Sequence, residues 1–225
     1  MTFDDFLLAF FSLDILRQAW PILLAGLTQT LLLSAIVVPL GLLGGVILAL
    51  LSTVRHPWIA WPVMAWVDLF RALPPLVLLV FVYAGLPFAG LEVSAIGAVA
   101  IGFFLNTGAY YGEILRAGIE SVPAGQVEAA RSTGLSRGQA MAWVVLPQAL
   151  RMTIPPLTNR TIAITKGTAL GSVVAVPEIL GAAQAGVSFS FNPTPLTLGA
   201  LAYLVLFIPV VLLGRWIETR FAWKR

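Results

Sequence analysis

No charged residue falls between Arg17 and Arg55, and the stretch 22–51 is almost wholly apolar. About 20 such residues in a helix cross the hydrocarbon core of a bilayer. Lipid offers the backbone no hydrogen bonds, so a segment of this kind is a helix or part of a closed barrel. Its apolar residues do not alternate with period two, which selects the helix. The rest of the chain follows suit. Of 225 residues, 59% are hydrophobic and 10% charged, against roughly 25% charged in a soluble domain. The expected fold is an all-α integral membrane protein with about five transmembrane helices. They fall at about 22–51, 72–89, 93–112, 151–180 and 196–214, in one transmembrane domain over 1–225.

Asp4 and Asp5 stand where a cleaved signal would carry Lys or Arg, so the N-terminal stretch is expected to be retained. Phe3, Phe6, Leu7, Phe10 and Phe11 recur at helical spacing and suit a short interfacial helix. Trp58, Trp61, Trp66 and Phe70 suit a segment at headgroup level. An odd number of spans puts the termini on opposite sides. Arg55, Arg116, Arg131, Arg137, Arg151, Arg215, Arg220, Lys224 and Arg225 share one side. Arg17 lies on the other with Asp4, Asp5, Asp14 and Glu92. The positive-inside rule then places the N-terminus outside and the 113–150 loop and C-terminus in the cytoplasm. The pI of about 9.7 reflects that asymmetry, not a nucleic-acid partner.

The chemistry expected of this chain alone is slight. It has no cysteine. It contains no HExxH or phosphate-cradling GxxxxGK[ST] pattern, and Lys166-Gly167-Thr168 has the wrong order. No catalytic residue, metal site or cofactor is expected in it.

The polar insert 113–150 carries the clearest local signals. Pro123 suits a first helical turn and Gly134 a helix end, framing a short helix Ala124–Thr133 with Glu128 in its first half. Ala129 and Ala130 give that helix a smooth face. Ser136-x-x-Gln139 is a capping-box pattern opening a second helix, which Pro147 is expected to end. Upstream, Glu113, Arg116 and Glu120 stand at ion-pairing helical spacing.

Glu128-Ala129-Ala130, then Gly134, then Leu146-Pro147, has a spacing that resembles the cytoplasmic EAA loop of ABC-importer permeases. The stretch from Ala109 to Gln126 is similar to what precedes that loop in the polar amino-acid branch, of histidine, glutamine or arginine type. So are Leu146–Arg151, Ile154–Asn159 and Lys166–Leu170. Two places depart from the pattern: Arg71-Ala72-Leu73-Pro74-Pro75-Leu76 replaces Arg-Gly-Thr-Pro-Leu, and Ala169 replaces Ser. The resemblance implies a MetI-like permease in a bacterial inner membrane. It implies a second permease chain, identical or related, two ATP-binding-cassette ATPases holding ATP and Mg, and an extracytoplasmic solute-binding protein. It also implies an amino-acid substrate moved by alternating access, with Glu128, Ala129, Ala130, Gly134, Leu146 and Pro147 as the ATPase-coupling surface.

Polar side chains inside a membrane tend to face the protein interior or a water-filled path. At helical spacing Thr158, Thr161, Thr165, Thr168 and Ser172 fall within an arc of about 80°, with Asn159 and Lys166 beside them and Arg160 opposite. That face is a candidate solute path, with Lys166 as a carboxylate ligand and Asn106, Thr107 and Tyr110 as further candidates. The plainer alternatives are hydroxyls bonded to their own helix, Lys166 snorkelling or paired with Glu178, and Asp68 paired with Arg71. An autonomous carrier or channel would need mid-membrane coupling acids or an ion filter. A membrane enzyme would need a catalytic constellation. The sequence supplies neither.

Overall fold

The structure, a computed structural model, describes residues 2–54 and 56–221. Arg55, Lys224 and Arg225, counted above for orientation, lie outside the described residues. Those residues form helices and no strand. In chain order they are α1 (Phe3–Phe10), α2 (Leu13–Ser52), α3 (Pro57–Ala72), α4 (Pro75–Val80), α5 (Ala95–Glu120), α6 (Ala124–Ser132), α7 (Arg137–Ala140), α8 (Leu146–Gly167), α9 (Ile179–Ser190) and α10 (Thr194–Phe221). Two compact units divide the chain. The first takes the stretch through Val38, Pro74–Phe103 and Ile164–Val211. The second takes Pro39–Leu73, Phe104–Ala163 and the stretch from Leu212 onward.

Two stretches, 3–52 and 194–221, are long and apolar enough to cross a membrane. Two bent pairs, 57–89 and 137–190, pass only as pairs, for up to four spans by length and composition among the described residues. The expected count of about five also includes α5. At 26 residues, about 39 Å long, α5 has the length. It carries Asn106, Thr107, Tyr110, Tyr111, Glu113 and Arg116, which dilute its apolar character.

In the first unit, the N-terminal helix α1 is capped by Thr2, whose hydroxyl accepts from Asp5 N while Asp5 accepts from Thr2 N. None of its residues is buried, as suits an interfacial helix. Its end is tied down by Asn192 Nδ2 donating to Leu8 O and by Thr194 donating to Ala9 O. Two buried polar side chains of the unit, Thr30 and Glu178, are hydrogen-bonded. Buried Thr30 donates to Gly26 O and accepts from Ile179 N. Buried Glu178 caps α9, accepting from Gly181 N at 2.8 Å and from the Tyr203 hydroxyl at 2.6 Å. Around it pack Ala19, Leu23, Ile179, Ala182 and Ala183.

In the second unit, α2 and α5 approach closely because glycines face side chains across the contact. A Cβ on Gly45 would collide with Tyr111 Cβ and crowd Gly112 N. This is the small-residue packing expected of Gly44-Gly45. The α3 helix stops at Leu73, whose extended backbone (φ −79, ψ 130) precedes Pro74. A residue before proline is driven out of the helical region.

The helix entering α8 corrects one expectation. Pro147 does not end it. From Arg137 the helix widens into a π-turn over Met141–Val145, with Leu146 N bonded five residues back to Met141 O, and continues as α8. Proline lacks an N–H and its ring crowds the carbonyl four residues back. The π-turn relaxes both constraints just before Pro147. Pro155 and Pro156 do not break α8 either. The break comes at the 3-10 segment Thr168–Val174 and the left-handed Ala175 (φ 62).

Candidate functional site

Two assemblies in the second unit carry the functional signals. The first is the folded loop. Here α6 spans Ala124–Ser132, with Pro123 as its N-cap residue instead of in its first turn. Thr133 closes the helix, and Gly134 follows at φ +91, a left-handed conformation that glycine adopts without Cβ strain. The capping box is formed: Ser136 accepts from Gln139 N, and Gln139 Oε1 accepts from Ser136 N at 2.9 Å. Val122, Val145 and Ala149 make a small core, with Ile119, Val127 and Met141 against it. Ala130 turns inward and is buried, while Glu128, Ala129, Gly134 and Pro147 are exposed and Leu146 is half-buried. The expected coupling residues therefore divide into one anchoring side chain and a presented surface.

The second assembly centres on α5. Buried Asn106 donates from Nδ2 to Phe70 O at 2.8 Å and to Leu73 O at 3.3 Å, the carbonyls at the end of α3. Those carbonyls lie among the last of the helix and need an outside donor. Asn106 Oδ1 accepts from the Arg160 guanidinium at 3.2 Å. The carbon of that guanidinium lies over the Tyr110 ring, 3.4 Å from its centroid, a cation–π contact. The Tyr110 hydroxyl donates to Arg71 O at 3.2 Å, and the Arg71 guanidinium is 5.6 Å from the same ring. Tyr111 and Thr161 share a hydrogen bond of 2.6 Å.

At the loop end of α5, Glu113 receives two bonds from Arg116, at 3.0 and 2.8 Å, and Arg116 also reaches Glu120 at 2.6 Å. The expected spacing pairs are thus formed. Arg116's hydrogen bonds hold the Glu113 carboxyl below its ordinary pKa. Burial opposes this, and the charges of Arg116 and Arg71 add to it. The same contact pushes Arg116 up.

Several expected placements change. Arg71 pairs with Glu113 at 3.6 Å and not with Asp68, which is exposed. Lys166 is exposed and lies 5.9 Å from the Phe207 ring. It does not pair with Glu178, whose two oxygens are taken by Gly181 and Tyr203. The polar arc on α8 is divided, because the boundary between the units falls after Ala163. Thr158, Asn159 and Thr161 belong to the second unit and Thr165, Lys166 and Thr168 to the first. Thr161 donates to Leu157 O, Thr168 to Thr165 O and Ser172 to Ala169 O, so these hydroxyls bond their own helix, although Thr161 also meets Tyr111; the Asn159 amide donates to Pro155 O. Arg160, placed opposite that arc, is the residue sequence reasoning missed. A charged side chain in a helix expected to cross the membrane was the available signal.

Residues 41–223 match the family described as binding-protein-dependent transport system inner membrane component. The chain belongs to this family. The permease is 37% identical over 170 residues to a probable amino-acid ABC transporter permease protein, YckA, of Bacillus subtilis (strain 168), covering 76% of this chain and 75% of that protein. It is 33% identical to the probable glutamine ABC transporter permease protein GlnM of the same organism, covering 93% and 97%. In fold it is similar to a chain of a solved amino acid ABC transporter with histidines, at a TM-score of 0.86 and 32% identity over 91% of this chain and 96% of that one.

Proposed function

We propose that this permease carries a polar amino acid inward through a bacterial inner membrane, driven by separate ATP-binding-cassette subunits that grip the loop 113–150. The observation that carries this is the loop's geometry. Glu128 and Ala129 are presented outward on α6, Ala130 anchors the helix from beneath, and Gly134 turns the chain back. A movable ATPase then pulls on a folded handle continuous with α8 through the π-turn. ATP binding closes the ATPase pair and draws two such loops together, and hydrolysis resets them: alternating access by population shift. The assembly comprises a second permease chain, two ATPases holding ATP and Mg, and an external solute-binding protein. The N-terminus lies outside and the C-terminus in the cytoplasm, with α5 completing about five spans.

Asn106 and Tyr110 are the solute-facing candidates best supported by position, each beside the Arg160 guanidinium. Lys166, exposed on the first unit, is a weaker candidate. The test is made in cells expressing the whole importer. Glu128→Lys or Gly134→Asp is expected to leave the permease in the membrane while ATP-dependent uptake falls at least about tenfold, as loss of a docking contact of about 1.4 kcal/mol or more requires. Full uptake by both variants would remove the coupling role of the loop.

A further inference from the structure

We propose that Arg160, lying over Tyr110, receives the carboxylate of a net-anionic solute, so that the permease accepts acidic, dicarboxylic amino acids and rejects cationic ones. This rests on the reading of the Asn106–Tyr110–Arg160 face as part of the solute path, and adds to it the sign of the charge.

The argument starts from the charge balance of the cluster. Among the described residues Arg160 has no carboxylate within ion-pairing distance. Its guanidinium is held by one neutral acceptor, Asn106 Oδ1, and by the Tyr110 ring. Its Nε is buried with no hydrogen-bond partner, and so is the Nε of Arg71, the second guanidinium beside that ring. A buried N–H of a charged group left unpaired is costly, and such groups are rare unless something absent from the structure completes them. Two positive planes sharing one ring also repel in a low dielectric. A carboxylate relieves both costs, because its oxygens accept from the fixed fork of donors that guanidinium presents. The contact with Tyr110 and the bond to Asn106 already hold that fork in place, so little order is lost on binding.

The same cluster supplies no counter-charge for a cation. The acid bound into it, Glu113, accepts two bonds from Arg116 and lies 3.6 Å from Arg71, while Asp68, in the same pocket as Glu113 and Arg116, makes no ion pair with Arg71. Asn106 Nδ2 points its donors at Phe70 and Leu73, whose carbonyls are thereby occupied. A lysine or arginine solute would bring a like charge beside two guanidinium groups with nothing to pair it.

The experiment uses the permease purified with its ATPase and second permease chain, titrated with L-glutamate, L-glutamine and L-arginine while thermal unfolding is followed. Glutamate is expected to raise the unfolding temperature with an apparent affinity about tenfold or more above that of arginine, the order of one charge-assisted bond. Arg160→Lys keeps the charge but loses the planar fork and is expected to weaken the glutamate effect about tenfold, and Arg160→Gln to abolish it. The ranking of solutes by the unaltered complex needs no variant to fold. Arginine or lysine binding as tightly as glutamate, no effect of glutamate, or an unchanged glutamate effect in Arg160→Gln would each overturn the assignment. ATP-driven uptake of a cationic amino acid by the whole importer in liposomes would overturn the charge preference and leave the importer standing. Absence of ATP-driven uptake of every amino acid would overturn both.

Discussion

Asn106 illustrates how one buried amide organises a membrane-embedded cluster. Its two donors close the end of α3 and its oxygen orients Arg160. Asn106→Leu keeps the volume but strands two carbonyls and a guanidinium. It is expected to destabilise the purified permease by about 1–3 kcal/mol, read as a lowered unfolding temperature. At the other end of the same helix, Glu113 gives a pH signature. Its folded pKa lies below the ordinary 4.5 because Arg116 bonds the ionised form. The stabilisation is therefore complete above the unfolded pKa and is lost as pH falls through the lower folded value. The Glu113 contribution to stability should be lost progressively as pH falls through about 4.5 and below, and Glu113→Gln should remove that part of the decline. A loss beginning near neutral pH that vanished in Glu113→Gln would contradict the sign.

At the scale of elements, the fold of the 113–150 loop was largely legible. Its capping box, its glycine turn and its first helix appear where Ser136, Gln139, Gly134 and Ala124 place them, because these signals are local: a side chain bonding a backbone three residues away, or a φ that only glycine tolerates. Ser136→Ala should cost about 1 kcal/mol, seen as faster amide hydrogen exchange over 137–145 and little change elsewhere. The stop at Pro147 was misjudged because a proline's effect depends on whether the helix ahead can widen. Here the Met141–Val145 turn does so, with Val145 held in the small core of the loop. Gly45 belongs to this scale as well. Leucine there meets Tyr111 and the backbone of Gly112, and overpacking of about 1–3 kcal/mol should appear as poor recovery of folded protein in detergent.

For the whole molecule, function depends on chains other than this one. Purified alone, it is expected to hydrolyse no ATP, since it has no phosphate-binding loop. Isolated from native membranes, it should bring an ATPase, and recovery of the chain alone with transport persisting in ATP-free liposomes would contradict the importer. The sequence by itself determined that the chain is helical and membrane-embedded, because lipid leaves an apolar backbone no other way to satisfy its hydrogen bonds. It also determined the local fold of the 113–150 loop, whose signals act over a few residues. Only the tertiary structure decided which polar residues meet. The helical arc on α8 did not reveal that Arg160 crosses to Asn106 on α5, 54 residues away, or that Thr161 meets Tyr111, also on α5, as well as bonding its own helix. The periodicity of one helix says which side chains share a face, but the partner of that face is fixed by packing between distant segments, and no local spacing encodes it.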